Sequence, residues 1–537
     1  MSNSSPLIAI LVSCSWLLTA AFASAQPVAL YGRFEQALKP SQGAQPSADL
    51  PVEFTSPSGK TCTRSAFDDG GSTCRVRFMP TEEGVWTWRA RGVTPGAPDQ
   101  SGRFECRKSD SPNPFLRHGP IRVSADGTHF EHFDGTPFFF LADTTWNGVL
   151  LSKKDDWDRY LADRVAKHFS GIQFVMLAPW RTAPANAEGL IAFSGEKSIT
   201  IHPDFYKRID DRMAQIESAG LLAVPVLMWA WGKKDAGQAL PEEEAIRLIK
   251  YQVNRYSAHH VIWILNGDSN CRGEVAERWK RIGRAVFADQ QASLAPVTLH
   301  PGGRIWPYDA FRDEKWLGIH GYQSGHTDAP DGLAWAHSGP VSKEWQRQPI
   351  RPYVNLEPPY EDHISGYSKK RFSAHAVRRA CYWSLLAAPP AGLTYGGHGI
   401  WSWQEVEGPP FDHAYTGVAK PWHIAKDLPG ASSMKHMTDF FTSIEWWKLR
   451  PAQSLLAAQP GDGDSARFIS AAKSGKGDLA VFYLPAGGEV SFSPDQLVKD
   501  VRAEWFDPRT AQRFPADSTT PGRYIAPDDQ DWVLLVR

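Results

Sequence analysis

The sequence predicts an α/β protein in which a (β/α)8 TIM barrel is flanked by an N-terminal and a C-terminal β-sandwich. Three patterns carry this expectation. Residues 26–108 and 450–537 read as short alternating strands separated by turns, and residues 121–446 read as apolar strands alternating with amphipathic helices. An open doubly wound sheet would give the same alternation, but no Gly-rich phosphate loop follows its first strand.

The elements follow in chain order. Pro6 to Ala23 is apolar or small, and Ala23-Ser24-Ala25 fits the small-x-small cleavage rule. Residues 1–25 are therefore expected to be a secretory signal cut before Gln26, which makes the mature chain secreted or periplasmic. Leu11-Val12-Ser13-Cys14 has the residue types of a lipoprotein signal, but the apolar run continues past Cys14 through Leu17, Leu18 and Phe22. No run in the chain is long enough for a membrane span. Export permits disulfides, and one bridge is expected among Cys62, Cys74 and Cys106, with the Cys62–Cys74 pair favoured.

In the first sandwich, Val52-Glu53-Phe54-Thr55, Arg75-Val76-Arg77-Phe78 and Gly84 to Ala90 alternate apolar and polar residues, and Asp68-Asp69-Gly70-Gly71 is a turn. A Pro-rich link runs from Ser109 to Pro120. Eight strand–helix repeats follow. The strands are expected at Phe138–Ala142, Ile172–Leu177, Leu221–Trp229, Val261–Leu265, Pro296–His300, Trp316–His320, Pro352–Leu356 and Gly392–Tyr395. Helices are expected over Lys153–Phe169 with Ser152 as cap, His202–Ala219, Pro241–Tyr256, Glu274–Asp289, Arg371–Leu386 and Ala431–Glu445. The tail returns to short strands at Ala466–Ser470, Leu479–Leu484, Ala503–Phe506 and Trp532–Val536, with a turn at Asp507-Pro508-Arg509-Thr510.

Composition narrows the function. With 58 Lys plus Arg against 59 Asp plus Glu, the chain has no bulk attraction for nucleic acid or an anionic membrane. The 22 Trp stand out, because large flat rings stack on sugars as well as filling cores.

In a (β/α)8 barrel the reactive residues sit at the C-terminal ends of the strands. Those positions hold Asp143 and Trp146, Trp180 and Arg181, Trp229 and Trp231, Asn266-Gly267-Asp268-Ser269-Asn270, His300, His320 and Tyr322, Glu357 and Glu361, then His398, Trp401 and Trp403. Asp268 and Glu357, at the ends of strands four and seven, supply the paired carboxylates that glycoside hydrolysis requires. Glu357 precedes Pro358-Pro359-Tyr360, and a tyrosine beside a carboxylate holds it ionised as a nucleophile. Asp268 lies among Trp and Asn side chains that would raise its pKa and suit it to the acid role. Asp143, Trp146, Trp180, Arg181, Trp229, Asn266, Asn270, His300, His320, Tyr322, Glu361 and Trp401 are the candidate substrate contacts. His300 and His320 lack a third ligand at metal spacing, so neither a metal nor another cofactor is expected.

The runs Phe140 to Trp146, Val261 to Asn270, Asn355 to Glu361 and Gly396 to Trp403 resemble those of the apiosidase-like glycoside hydrolases, retaining barrel enzymes of bacteria that degrade plant pectin. The sandwich with Phe78-Met79-Pro80 and Gly84 to Trp88 is similar to the domain that precedes such barrels, and the tail resembles the collagen-binding-type sandwich that follows them. The resemblance implies an acid/base at Asp268 and a nucleophile at Glu357, acting on a polysaccharide or oligosaccharide. This chain has Asn266-Gly267-Asp268 where the family usually has Gly-Gly-Asp. A binding protein with an inactive barrel is the alternative from a different class.

Overall fold

The computed structural model describes residues 27–39, 50–93, 99–178, 185–288, 295–499, 501–518 and 520–537. The expected signal segment lies outside the described residues. Eight parallel strands form the central barrel: β1 (Phe140–Thr144), β2 (Gly171–Val175), β3 (Leu222–Val226), β4 (Trp263–Ile264), β5 (Val297–Thr298), β6 (His320–Gln323), β7 (Tyr353–Glu357) and β8 (Gly392–Gly396). Their hydrogen-bonded order is β5-β4-β3-β2-β1-β8-β7-β6.

The remaining seam, between β5 and β6, is bridged by single contacts. Gly318 and Ile319 donate N–H to the Val297 carbonyl at 2.9 and 3.1 Å. The Thr298 hydroxyl accepts from the Gly321 N–H at 3.0 Å and reaches the Ile319 carbonyl at 3.1 Å. These contacts bring the barrel close to closure at that seam.

The principal helices are α1 (Lys154–Ala166), α2 (Pro203–Ser218), α3 (Glu242–Tyr256), α4 (Gly273–Phe287), α5 (Pro330–Ser338), α6 (Ala374–Leu386) and α7 (Pro429–Thr442). Glu242, Glu243 and Glu244 complement the positive end of α3, as its sequence leads one to expect. Ser152 does not cap α1. It is buried between α1 and α2, where its hydroxyl accepts from Arg212 Nε at 3.1 Å and its carbonyl from another guanidinium nitrogen of Arg212 at 2.8 Å. The sixth strand starts at His320 and not at Trp316. Trp316 is spent on packing: its indole occupies the space left by Gly283 of α4, where a methyl group would approach it to 2.3 Å.

Both flanking regions are sheet-rich. The N-terminal region has a five-stranded sheet (28–29, 100–107, 84–90, 51–55, 61–65) and a three-stranded one (34–38, 74–78, 67–68). The C-terminal region has a six-stranded sheet (449–451, 470–474, 480–484, 532–536, 503–506, 513–515) with a two-stranded partner.

Charge-assisted contacts tie both regions to the outer helices. Arg77 reaches Asp210 and the Arg255 carbonyl, each at 2.9 Å, and Arg378 of α6 grips Asp531 with two bonds of 2.6 Å. Among the described residues the expected Cys62–Cys74 bridge is not formed. Cys62 pairs with Phe54 in the larger sheet and Cys74 with Leu38 in the smaller, so the two belong to different layers. Among the described residues, no helix is long and apolar enough to cross a membrane.

Candidate active site

The loop leaving β4 is shaped before it is charged. Gly267 lies against the Trp229 indole so closely that a methyl group there would come within 2.1 Å of the ring, so no other residue fits. Asp268 follows in the left-handed region at φ 50°, a conformation that aspartate tolerates better than most residues and that marks a constrained site. Asn266 is fully buried. Its side-chain oxygen faces the His300 N–H at 3.4 Å and its amide nitrogen faces Cys271 Sγ at 3.5 Å, so it braces the loop.

Glu357 is the last residue of β7. Where β6 meets β7 the register skips Leu356, which sets Gln323 opposite Glu357. Gln323 then donates its amide to Asp268 Oδ1 at 3.1 Å. Gly303 makes room for this, because a methyl group on it would lie 2.9 Å from the Gln323 side-chain oxygen.

Two histidines complete the site. His326 Nδ1 accepts the Tyr360 N–H at 3.3 Å, so its proton is on Nε2, which donates to Glu357 Oε1 at 2.7 Å. His300 is fully buried between the carboxylates, with Nε2 3.3 Å from Glu357 Oε2 and Nδ1 3.8 Å from Asp268 Oδ1. Neither ring nitrogen makes an aligned hydrogen bond. Trp146 stands edge-on to His300 and to Trp229, with ring centroids 5.5 and 5.3 Å away, and forms the floor.

These surroundings separate the two carboxyl groups. Burial, reinforced by the negative charge of Glu357, pushes Asp268 up to about 7. Burial also opposes ionisation of Glu357, but the His300 and His326 contacts outweigh it and hold Glu357 well below the usual carboxylate range. For His300, burial works against protonation and Glu357 works for it, with a net upward shift.

Ligand atoms of Asp268, His300 and Glu357 all lie within 4.8 Å of one another, the one such group among the described residues. Nε2 of His300 faces Glu357 and Nδ1 faces Asp268, so the ring sits between the two acids.

Of the other expected contacts, Trp229 borders this site at 9 % exposure and Asn270 is exposed on the Asp268 loop. Trp180 and Arg181 lie outside the described residues. Several expectations are corrected. Asp143 points to the helix side of β1, where Tyr160 donates to it at 2.6 Å and Arg164 pairs with it at 3.2 Å, both from α1. Glu361 accepts the Gly430 N–H at 2.8 and 3.0 Å and the Tyr395 hydroxyl at 2.6 Å, and so secures the first turn of α7. His320 packs between Tyr308 and Tyr353, and Tyr322 against Trp335 of α5. Both belong to the face of β6 opposite Gln323. Trp146, Trp401 and Trp403 are buried, the last stacked on Trp422 at 4.8 Å. Burial, and after it the charge of Glu357, raises the Tyr360 hydroxyl, so the expected tyrosine does stand beside that carboxylate; it makes no aligned hydrogen bond, and His326 is the aligned donor to Glu357.

Sequence reasoning missed Gln323 and His326. Gly325, at φ 77°, supplies the turn that folds His326 back onto Glu357, and Ser324-Gly325-His326 just after a barrel strand was the available signal.

Residues 124–448 match the family model described as "Apiosidase-like, catalytic domain". Residues 27–92 match a domain of unknown function and residues 450–537 a "Putative collagen-binding domain of a collagenase". A glycoside hydrolase family 5 structure from Bacteroides vulgatus ATCC 8482 superposes with a TM-score of 0.67 at 23% identity, covering 80% of this chain and 95% of the other. A second structure, described as a glycoside hydrolase, gives 0.68 at 23% identity over 79% and 97%. At such identities the likeness is one of fold. No curated protein matches the chain.

Proposed function

The chain belongs to the apiosidase-like catalytic-domain family and is a glycoside hydrolase, and from that premise we propose that it is an exported enzyme that works by retention, with Glu357 as nucleophile and Asp268 as acid/base, on a plant or microbial polysaccharide or oligosaccharide. The observation that carries this reading is the approach of the two carboxylates. An oxygen of Asp268 lies within 4.8 Å of one of Glu357, an approach that fits the ~5–5.5 Å carboxyl separation of retaining enzymes better than the ~6.5–9.5 Å of inverting ones.

The chemistry follows from the two protonation states. Ionised Glu357 attacks the anomeric carbon while Asp268 gives its proton to the departing glycosidic oxygen. The bond to the leaving group breaks, and a glycosyl ester to Glu357 forms. Esterification removes the negative charge that raised Asp268, so the acid of the first step relaxes into a carboxylate able to take a proton from water in the second. Water then attacks the anomeric carbon, the sugar leaves, and Glu357 is free again. His326 holds Glu357 oriented and ionised, and His300 lies between the two acids.

Pectic apiosides are the first substrates to try, on the strength of the family. Incubation with a panel of plant glycans and aryl glycosides, with products read by chromatography, tests the reading. The wild type is expected to release sugar and Glu357→Gln and Asp268→Asn to lose that release while remaining folded. Binding without release by the wild type would favour an inactive barrel that only holds glycans.

A further inference from the structure

One aromatic ring near the acid stays in solvent. Trp231, in the loop after β3, is 53 % exposed, unlike Trp146 and Trp229 below it. Its backbone is fixed: the Gln238 amide donates to the carbonyls of Ala230 and Trp231, both at 2.8 Å, and Asp235 accepts the Gly232 N–H at 2.5 Å. An exposed indole on an anchored loop costs little conformational entropy to use.

Its position relative to Asp268 is also defined. The β5 loop pairs with the acid's loop through Ser269 and Pro301, and the Gly302 N–H donates to the Ser269 carbonyl at 3.0 Å. A methyl group on Gly302 would lie 3.6 Å from the Asp268 carbonyl and 3.7 Å from Trp231 Cζ3. The indole and the backbone of the acid therefore both lie within van der Waals reach of the space beside Gly302.

We propose that Trp231 is the stacking platform for the leaving sugar. This rests on Asp268 being the acid: the atom it protonates is the oxygen shared with the leaving group, so a flat exposed ring beside Asp268 meets the sugar that departs. Trp229, which borders the site above buried Trp146 and His300, is left for the sugar that becomes bonded to Glu357. Binding energy gathered by Trp231 orients the glycosidic oxygen under Asp268, so it is expressed in turnover as well as in affinity.

Kinetics on two substrates test this: the glycan that the wild type cleaves, and the glycosyl fluoride of the sugar it releases, whose leaving group has no ring to stack. Trp231→Ala is expected to lower kcat/KM on the glycan by about 10- to 100-fold, and by at least about tenfold more than on the fluoride, with Trp231→Phe recovering most of the loss. Equal losses on both substrates, or no loss on the glycan, would overturn the platform while leaving the glycosidase reading intact. A wild type that cleaves neither would overturn that reading, and the platform with it.

Discussion

His326 donates from Nε2 to Oε1 of Glu357 at 2.7 Å, and the Tyr360 N–H that fixes its tautomer comes from the same strand-seven loop as the carboxylate it serves. The nucleophile thus carries its own oriented donor, while the acid across the barrel mouth carries a weaker one, the neutral amide of Gln323. This asymmetry separates the roles of two carboxylates that share one buried space.

The pH profile should show it. Asp268 must be protonated to act as acid, and its pKa stands at about 7. Glu357 must be ionised, and it is held low. kcat/KM is expected to fall above about pH 7 and to hold steady well into the acid range, as read from initial rates between pH 4 and 9 in buffers of constant ionic strength.

Replacing His326 by Ala removes a contact that favours ionised Glu357. The carboxylate pKa then rises and the acid limb moves to higher pH, with kcat/KM lower by roughly 10²-fold. An unchanged acid limb would mean that His326 only packs.

Gln323→Leu acts on the other carboxylate. Gln323 stabilises charged Asp268, so its loss raises the Asp268 pKa and shifts the alkaline limb upward. Gly303→Ala, which crowds the Gln323 amide, is expected to shift the limb the same way.

Asp143 separates structure from catalysis. It and Arg164 are both fully buried, and Asp143→Ala takes away one of the two carboxylates paired with Arg164, leaving Asp163 at 3.0 Å, so it should cost about 2 kcal/mol of stability in urea titrations. KM for a cleaved glycan should stay within about twofold, because the side chain faces α1.

The barrel and its two catalytic candidates were legible because strand-end position is a property of hydrophobic pattern, and Asp268 and Glu357 close clear apolar runs. What escaped was the direction of side chains. Asp143 and Tyr322 lie toward the active ends of their strands, and His320, expected to close the sixth strand, opens it; their contacts run to Tyr160 and Arg164, to Trp335, and to Tyr308 and Tyr353, a matter of strand parity that a one-residue shift reverses. The start of β6 at His320 and its irregular register with β7 brought Gln323 into the site, and no local pattern announces such an irregularity. The tryptophans divide by the same logic. Trp146, Trp401 and Trp403 fill the space beneath the loops, and Trp231 keeps its ring in solvent.

The central claim, that Glu357 attacks and Asp268 protonates within one compact carboxylate pair, is tested most directly by the anomeric configuration of the first sugar released, followed by ¹H NMR before mutarotation. The same configuration as the substrate bond is the expected result. Initial release of the opposite anomer would contradict it, since Glu357 would then be activating water and not bonding to the sugar.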